Sequence, residues 1–169
     1  MDRILIIGGN GSGKTTLART LSEKLSLPLY HLDRMYWRDG WQHVTREELA
    51  AQLSPILCSP QWIIDGNMKH SIRERLQFCD TVIYLDFPAL LCAFGAIGRL
   101  MRSINKSRPD MGGECIEKLD TRSLQFILST LSFNRKNRKD FYDWISKAVH
   151  AECIILKNRR QVRRFISTI

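Results

Sequence analysis

Short β-branched apolar runs alternate with amphipathic stripes along the chain. Residues 3–7 read as a buried strand, after which Leu17, Leu21 and Leu25 recur at helical spacing. Residues 28–32 form a second short apolar run that ends at Asp33. Thr45 and Glu48 make a capping box for a helix with Leu49 and Leu53 on one face, which Pro55 bends or ends. Residues 61–64 predict a third strand leading into Asp65-Gly66-Asn67, and a short helix from about 68 to 78 follows. Residues 81–85 predict a fourth strand leading into Asp86-Phe87-Pro88.

Pro88 opens a helix with Leu90, Leu91, Phe94, Ile97 and Met101 on its apolar side. The cluster Ser107 to Gly113 is rich in breakers and predicts a loop. Asp120 caps a helix bearing Leu124, Ile127, Leu128 and Leu131, and a separate helix is predicted from about 135 to 149 with Phe141, Trp144, Ile145 and Ala148. Residues 153–156 give a fifth strand, and 160–167 close the chain as a short helix.

Alternating strands and helices of this kind form a three-layer α/β/α fold around a parallel, doubly wound sheet. The chain reads as one domain over residues 1–169, with a lid-like helical insert at about 99–134 over the edge where the strands end.

The chemistry begins at the first strand. Gly8 to Thr15 fits the phosphate-loop pattern G-x-x-x-x-G-K-[ST], between a strand and a helix as that pattern requires. Gly8, Gly9, Asn10, Gly11, Ser12 and Gly13 let backbone N–H groups converge on phosphate oxygens, and the helix that follows adds its N-terminal dipole. Lys14 reaches the β- and γ-phosphates, and the Thr15 hydroxyl is placed to ligate Mg²⁺, with Thr16 beside it in the first turn. The carboxylate that partners Thr15 at the metal is expected at the end of a core strand. Asp65 is favoured, while Asp86 reads equally well as a cap for the helix at Pro88.

Asp33 is a candidate general base for an acceptor hydroxyl, or a holder of a metal-bound water; an Asx-type turn is the plainer reading. Arg99, Arg102 and Arg108 are candidate lid arginines that follow the charge of a moving phosphoryl group; exposed charge is the alternative. Tyr36, Trp37 and Trp41 could stack on an acceptor or simply pack.

The net charge of +9 falls in three groups, around 99–108, 135–139 and 157–164. Such groups suit a polyphosphate ligand, a nucleic acid or a solvated surface. The five cysteines have no C-x-x-C spacing, so they read as small buried hydrophobes rather than as a zinc cage or disulfide framework. No apolar run approaches about 18 residues, and the first twenty residues are taken by the phosphate loop. A cytoplasmic protein is expected.

Taken together, Gly8 to Ala18, Tyr30-His31-Leu32-Asp33, Trp62 to Asn67, Leu85 to Pro88 and Arg108 to Gly112 resemble the bacterial adenylate-kinase-related P-loop proteins labelled DNA-topology-modulation proteins. The wider relatives of that family, nucleoside-monophosphate and small-molecule kinases, imply a five-stranded parallel sheet of order 2-3-1-4-5 and an arginine-bearing lid. Transfer of the γ-phosphate of ATP to a small acceptor, with Mg²⁺, is the activity implied. Asp65-Gly66 falls where those kinases keep an Asp-Gly pair near the metal. Adenylate kinase continues with Phe-Pro-Arg, whereas this chain has Asn67-Met68-Lys69, so the arginine that would hold AMP is missing. The family label implies an alternative, a nucleic-acid-associated NTPase acting on DNA topology, although the chain carries no helix-turn-helix or zinc motif for DNA.

Overall fold

A computed structural model describes residues 1–106, 111–116 and 118–169. β1 (Arg3–Gly8) leads through the glycine loop into α1 (Lys14–Leu25), then β2 (Leu29–His31) and the short α2 (Leu32–Tyr36). A small antiparallel hairpin, β3 (Trp37–Arg38) and β4 (Gln42–His43), precedes α3 (Arg46–Leu57). The remaining elements are β5 (Trp62–Asp65), α4 (Lys69–Phe78), β6 (Thr81–Leu85), α5 (Ala89–Ser103), α6 (Thr121–Lys147), β7 (Glu152–Leu156) and α7 (Arg159–Thr168).

Five strands make one parallel sheet in the order β2-β5-β1-β6-β7. Counting only these five, the order is 2-3-1-4-5, as the resemblance implied. β1 lies at the centre, with Ile6 paired to Asp65 on one side and Gly8 to Leu85 on the other. Its residues Ile4 to Ile7 are fully buried because helices cover both faces. Alternate side chains therefore enter different cores. Leu5, Ile7, Ile64, Val82 and Tyr84 pack with residues of α3, α4 and α6, while Ile4, Ile6, Ile63, Ile83 and Leu85 pack with α1, α5 and α7.

Five expectations change. The second strand stops at His31, and Asp33 sits in the first turn of α2 rather than at a strand end. Pro55 lies in the last turn of α3, which continues to Leu57; a proline there removes only one of the final hydrogen bonds. The two helices expected after Asp120 are a single one, α6, of 27 residues. Neither glycine nor proline interrupts it, and its inward face runs on through Thr130, Phe133, Phe141 and Ile145.

The fourth change concerns α5, which buries Cys92, Ala93 and Ala96 and turns Leu90, Phe94, Ile97 and Met101 outward. The reason lies in its neighbour, the glycine loop, which only small side chains allow to approach. Lastly, Cys79, Cys92 and Cys115 are buried as expected, but Cys58 and Cys153 are exposed. The Thr45–Glu48 capping box forms, and Asp120 caps α6 as expected, in a box closed by Ser123. Among the described residues, no helix is long and apolar enough to cross a membrane.

Candidate active site

The glycine loop joins the C-terminal end of β1 to the N-terminus of α1, so its backbone amides and the α1 dipole face one point. Gly11 and Gly13 adopt positive φ, 77° and 95°, which side-chain-bearing residues rarely hold. Gly11 also meets α5 with no room to spare: a Cβ there would run into the Cys92 carbonyl, and a Cβ on Gly95 would run into the Gly11 carbonyl. The loop is therefore braced by a glycine–glycine crossing. Gly95→Ala should cost about 2 kcal/mol, after its helix-propensity gain, by pushing helix and loop apart. Gly98→Ala, on the same helix with open space at its Cβ position, should instead stabilise by about 1 kcal/mol. Thermal melts of both variants, with and without ATP, measure the contrast, and equal melts would remove the crossing as the cause.

Lys14 Nζ donates to the carbonyls of Gly8 at 3.0 Å and Gly9 at 2.9 Å, so the lysine lies along its own loop. Burial lowers the Lys14 pKa, and the nearby charges of Asp65 and Asp33 offset part of that cost. The loop is tied to the neighbouring strand by Asn67, whose side-chain amide pairs with one residue in both directions. Its Nδ2 donates to the Gly8 carbonyl at 2.8 Å, and its Oδ1 accepts from the Gly8 N–H at 3.1 Å.

Beneath the loop, Thr15 Oγ1 donates to Asp65 Oδ2 at 2.8 Å. His31 Nδ1 donates to the same oxygen at 3.1 Å, because β2 and β5 pair His31 directly with Asp65. Asp65 Oδ1 is buried and accepts no hydrogen bond from the described residues. An orphaned carboxylate oxygen beside a hydroxyl, under a phosphate cradle, is what a hydrated divalent cation would satisfy. Among the described residues no three His, Cys, Asp or Glu side chains gather as a metal cage. A cation here would complete its shell with water and phosphate oxygens, which suits Mg²⁺.

Asp86, the other candidate, is engaged elsewhere. Its Oδ2 accepts from Arg138 Nε at 3.1 Å, from Arg138 Nη2 at 2.7 Å and from Tyr142 Oη at 2.9 Å, and its Oδ1 accepts from Tyr84 Oη at 3.4 Å. These bonds raise the Arg138 pKa, and burial raises that of Tyr84. Nor does Asp86 cap α5, whose N-cap is Pro88 with no side-chain cap bond. Asp86 ties β6 to α6.

One cavity of about 1230 Å³ runs from the loop past Asp65 to Asp33, Trp37, Trp41, Arg99 and Arg102. Asp33 is half-buried. The Arg99 guanidinium lies 5.1 Å from the Phe126 ring centroid, so α5 and α6 present it together. Trp37 packs edge-on to Trp41 at 5.6 Å and to Tyr36 at 5.1 Å, making an aromatic wall at the hairpin. Glu114 N–H donates to Asp39 Oδ1 at 2.7 Å, and Trp41 Nε1 donates to the Ile116 carbonyl at 3.4 Å, so residues 111–116 lie across that hairpin. Thr16 and Asn10 border the same cavity. Arg108 lies outside the described residues.

Sequence reasoning missed His31, Asn67 and Arg75. His31 could have been found from its place in Tyr30-His31-Leu32, a strand bound to neighbour the Asp65 strand. Asn67 follows the Asp-Gly pair immediately. Arg75 lies on the short helix expected at about 68 to 78, and its guanidinium is fully buried and holds the 66–68 turn.

No protein-family model and no curated protein sequence matches the chain. Solved structures do. A shikimate kinase from Acinetobacter baumannii, in complex with shikimate, is 16% identical, with a TM-score of 0.58 over 99% of this chain and 90% of that one. A shikimate kinase from Bacteroides thetaiotaomicron is 20% identical, with a TM-score of 0.56 over 99% of this chain and 95% of that one. The chain has the P-loop kinase fold. The resemblance to topology-modulation proteins has no counterpart in these comparisons, whereas the nucleoside-monophosphate-kinase-like architecture does.

Proposed function

We propose that the chain is an Mg²⁺-dependent phosphotransferase that moves the γ-phosphate of ATP to a hydroxyl of a small acceptor. The observation that carries this reading is the Thr15–Asp65 pair under the glycine cradle, opening into the same cavity as Asp33 and Arg99. At about 1230 Å³ the cavity exceeds the usual range for a single ligand, about 300–1,000 Å³, and so has room for nucleotide and acceptor together. The fold neighbours are kinases, and one was solved with shikimate, a small hydroxylated carboxylate. Arg99 and Arg102, which line the same cavity as Asp33, suit an acceptor of that broad class, an anionic group for the guanidinium forks and a hydroxyl for the carboxylate.

In this mechanism the amides of Gly9 to Gly13 and the Lys14 ammonium hold the β- and γ-phosphates, which requires Lys14 to leave the Gly8 and Gly9 carbonyls. Thr15 Oγ1 and Asp65 would hold Mg²⁺, directly or through water, and the ion would supply charge neutralisation on the phosphate oxygens. Asp33 accepts the acceptor's hydroxyl proton as its oxygen bonds to the γ-phosphorus and the bond to the β-bridging oxygen breaks, releasing ADP. Arg99 and Arg102 stabilise the charge on the transferred group, and residues 111–116, which lie across the hairpin, help to exclude water.

The test is ADP release with Mg²⁺ and ATP across hydroxy acids, sugars, nucleosides, nucleoside monophosphates and 5′-hydroxyl oligonucleotides. One acceptor class should raise the rate well above ATP hydrolysis alone. Lys14→Ala should weaken ATP binding about 30-fold by calorimetry, the loss of one charge-assisted contact of about 2 kcal/mol. Native affinity in that variant, or stimulation by no acceptor, would overturn the kinase reading.

A further inference from the structure

The outward faces of α5 and α6 carry large apolar side chains that the fold leaves in solvent. On α5, Leu90, Phe94, Ile97 and Met101 are 67, 70, 36 and 69% exposed; on α6, Leu124, Leu128 and Leu131 are 58, 57 and 38% exposed. Their spacing is four, three, four on the first helix and four, three on the second. That is the a/d rhythm with which a helix seats its side chains against another helix. The inward faces are already used: Cys92 and Ala96 meet the phosphate loop, Thr130 is buried, and Phe133 packs on the core. None of the seven outward residues lines the cavity, so substrate binding does not cover them.

We propose that this two-helix face is the interface of a homodimer, in which a second copy lays its own α5 and α6 across a twofold axis to complete a four-helix layer. The exposed parts of the seven side chains amount to roughly 800 Å² per copy, the half-share of a standard stable interface and more than the largest apolar patch of an ordinary monomer.

Charge selects the partner. No charged residue occurs from Phe87 to Gly98 or from Ser123 to Phe133, so two chains of net charge +9 can meet here without opposing like charges. A nucleic acid or an anionic membrane surface would instead be met by cations on the stripe itself, whereas Arg99, Arg102 and Arg122, the cations near its one end, line the cavity. Association in this arrangement leaves the Arg99 face of α5 open to the cavity and steadies the helix whose Gly95 braces the phosphate loop.

Sedimentation equilibrium over about 1–100 μM protein reads the interface directly, because a dimer's population follows its concentration. The native chain should reach twice its 19.6 kDa mass, and Phe94→Glu and Leu128→Glu should each weaken self-association at least a hundredfold. Retained stabilisation by ATP in a thermal melt would show that both variants fold. A second measurement needs no variant: hydrogen exchange of the native chain at the two ends of that range should slow only in α5 and the first half of α6. A native chain that stays at monomer mass, a dimer indifferent to both substitutions, or protection confined to another surface would overturn the proposal.

Discussion

Arg75→Ala should lower the melting temperature by about 10 °C, and Arg75→Lys should recover little of that loss. The guanidinium is fully buried and donates only to backbone carbonyls: Nη1 to Gly66 at 2.9 Å, Nη2 to Asn67 at 2.7 Å and Met68 at 3.2 Å, and Nε to Ser71 at 3.3 Å. Burial lowers its pKa to about 9, with the charge of Asp65 offsetting part of the cost. At neutral pH it therefore stays ionised at a desolvation cost that the carbonyls offset.

Truncation removes the cation but strands the carbonyls of the 66–68 turn in a cavity that water cannot fill well. Each buried carbonyl left unpaired costs about 1–3 kcal/mol, and the total of about 3–5 kcal/mol corresponds to roughly 10 °C for a domain of this size. A lysine cannot rescue the turn, since a single ammonium does not span the carbonyls that the planar fork reaches. Calorimetry of the nucleotide-free protein measures the effect. A shift below about 3 °C would mean that the turn finds other partners. The consequence reaches the site, because the same turn carries Asn67, and Asn67 pairs with Gly8. ATP affinity of the folded variant at low temperature should fall as well.

Arg75 also marks where sequence stops being informative. The strands, the phosphate loop and the helix caps at Thr45 and Asp120 are local patterns, and each appears in the fold with small changes of boundary. The face of α5 is not local. Large apolar residues at 90, 94, 97 and 101 outweigh three small ones by any hydrophobic measure, yet the helix must cross a glycine loop, and contact distance rather than hydrophobicity decides which side turns inward. The single α6 was legible in one sense, since neither glycine nor proline breaks it. The outward stripe of Leu124, Leu128 and Leu131 ends at the last of these, while the inward face continues past Phe133 to Phe141 and Ile145.

Between Asp65 and Asp86 the sequence favoured the first, but their local patterns are alike and their partners were beyond it. Both follow apolar runs buried on two faces, and their strands flank β1 on opposite sides. Only tertiary partners separate them: Thr15 and His31 for the first, and Arg138 with Tyr142 for the second. Asp33 shows the converse. Its residue type and its place after β2 were legible, but its helical setting follows from a strand that ends one residue earlier than the apolar run suggests.

Asp65→Asn should reduce Mg²⁺-dependent turnover about a thousandfold while moving the nucleotide-free melting temperature by no more than a few degrees, a loss of about 4 kcal/mol in transition-state stabilisation without a matching loss in folding. The folding half follows from the hydrogen bonds, the few degrees reflecting the loss of the charge that offsets the burial of Lys14 and Arg75. The asparagine carbonyl can keep the place of Oδ2 and accept from Thr15 Oγ1 and His31 Nδ1. Its NH₂ then takes the place of Oδ1, which is buried and unpaired already, so one unsatisfied polar group replaces another. The catalytic half follows from charge, because an amide lacks the negative charge that holds a hydrated divalent cation against the phosphates. Calorimetric ATP titrations with and without Mg²⁺ separate the two effects. In the native protein Mg²⁺ should tighten ATP binding, and in Asp65→Asn that increment should vanish while Mg²⁺-free binding stays. Turnover within tenfold of native, with the Mg²⁺ increment intact, would remove Asp65 from the metal side of the site and leave its contact with Thr15 a purely structural one.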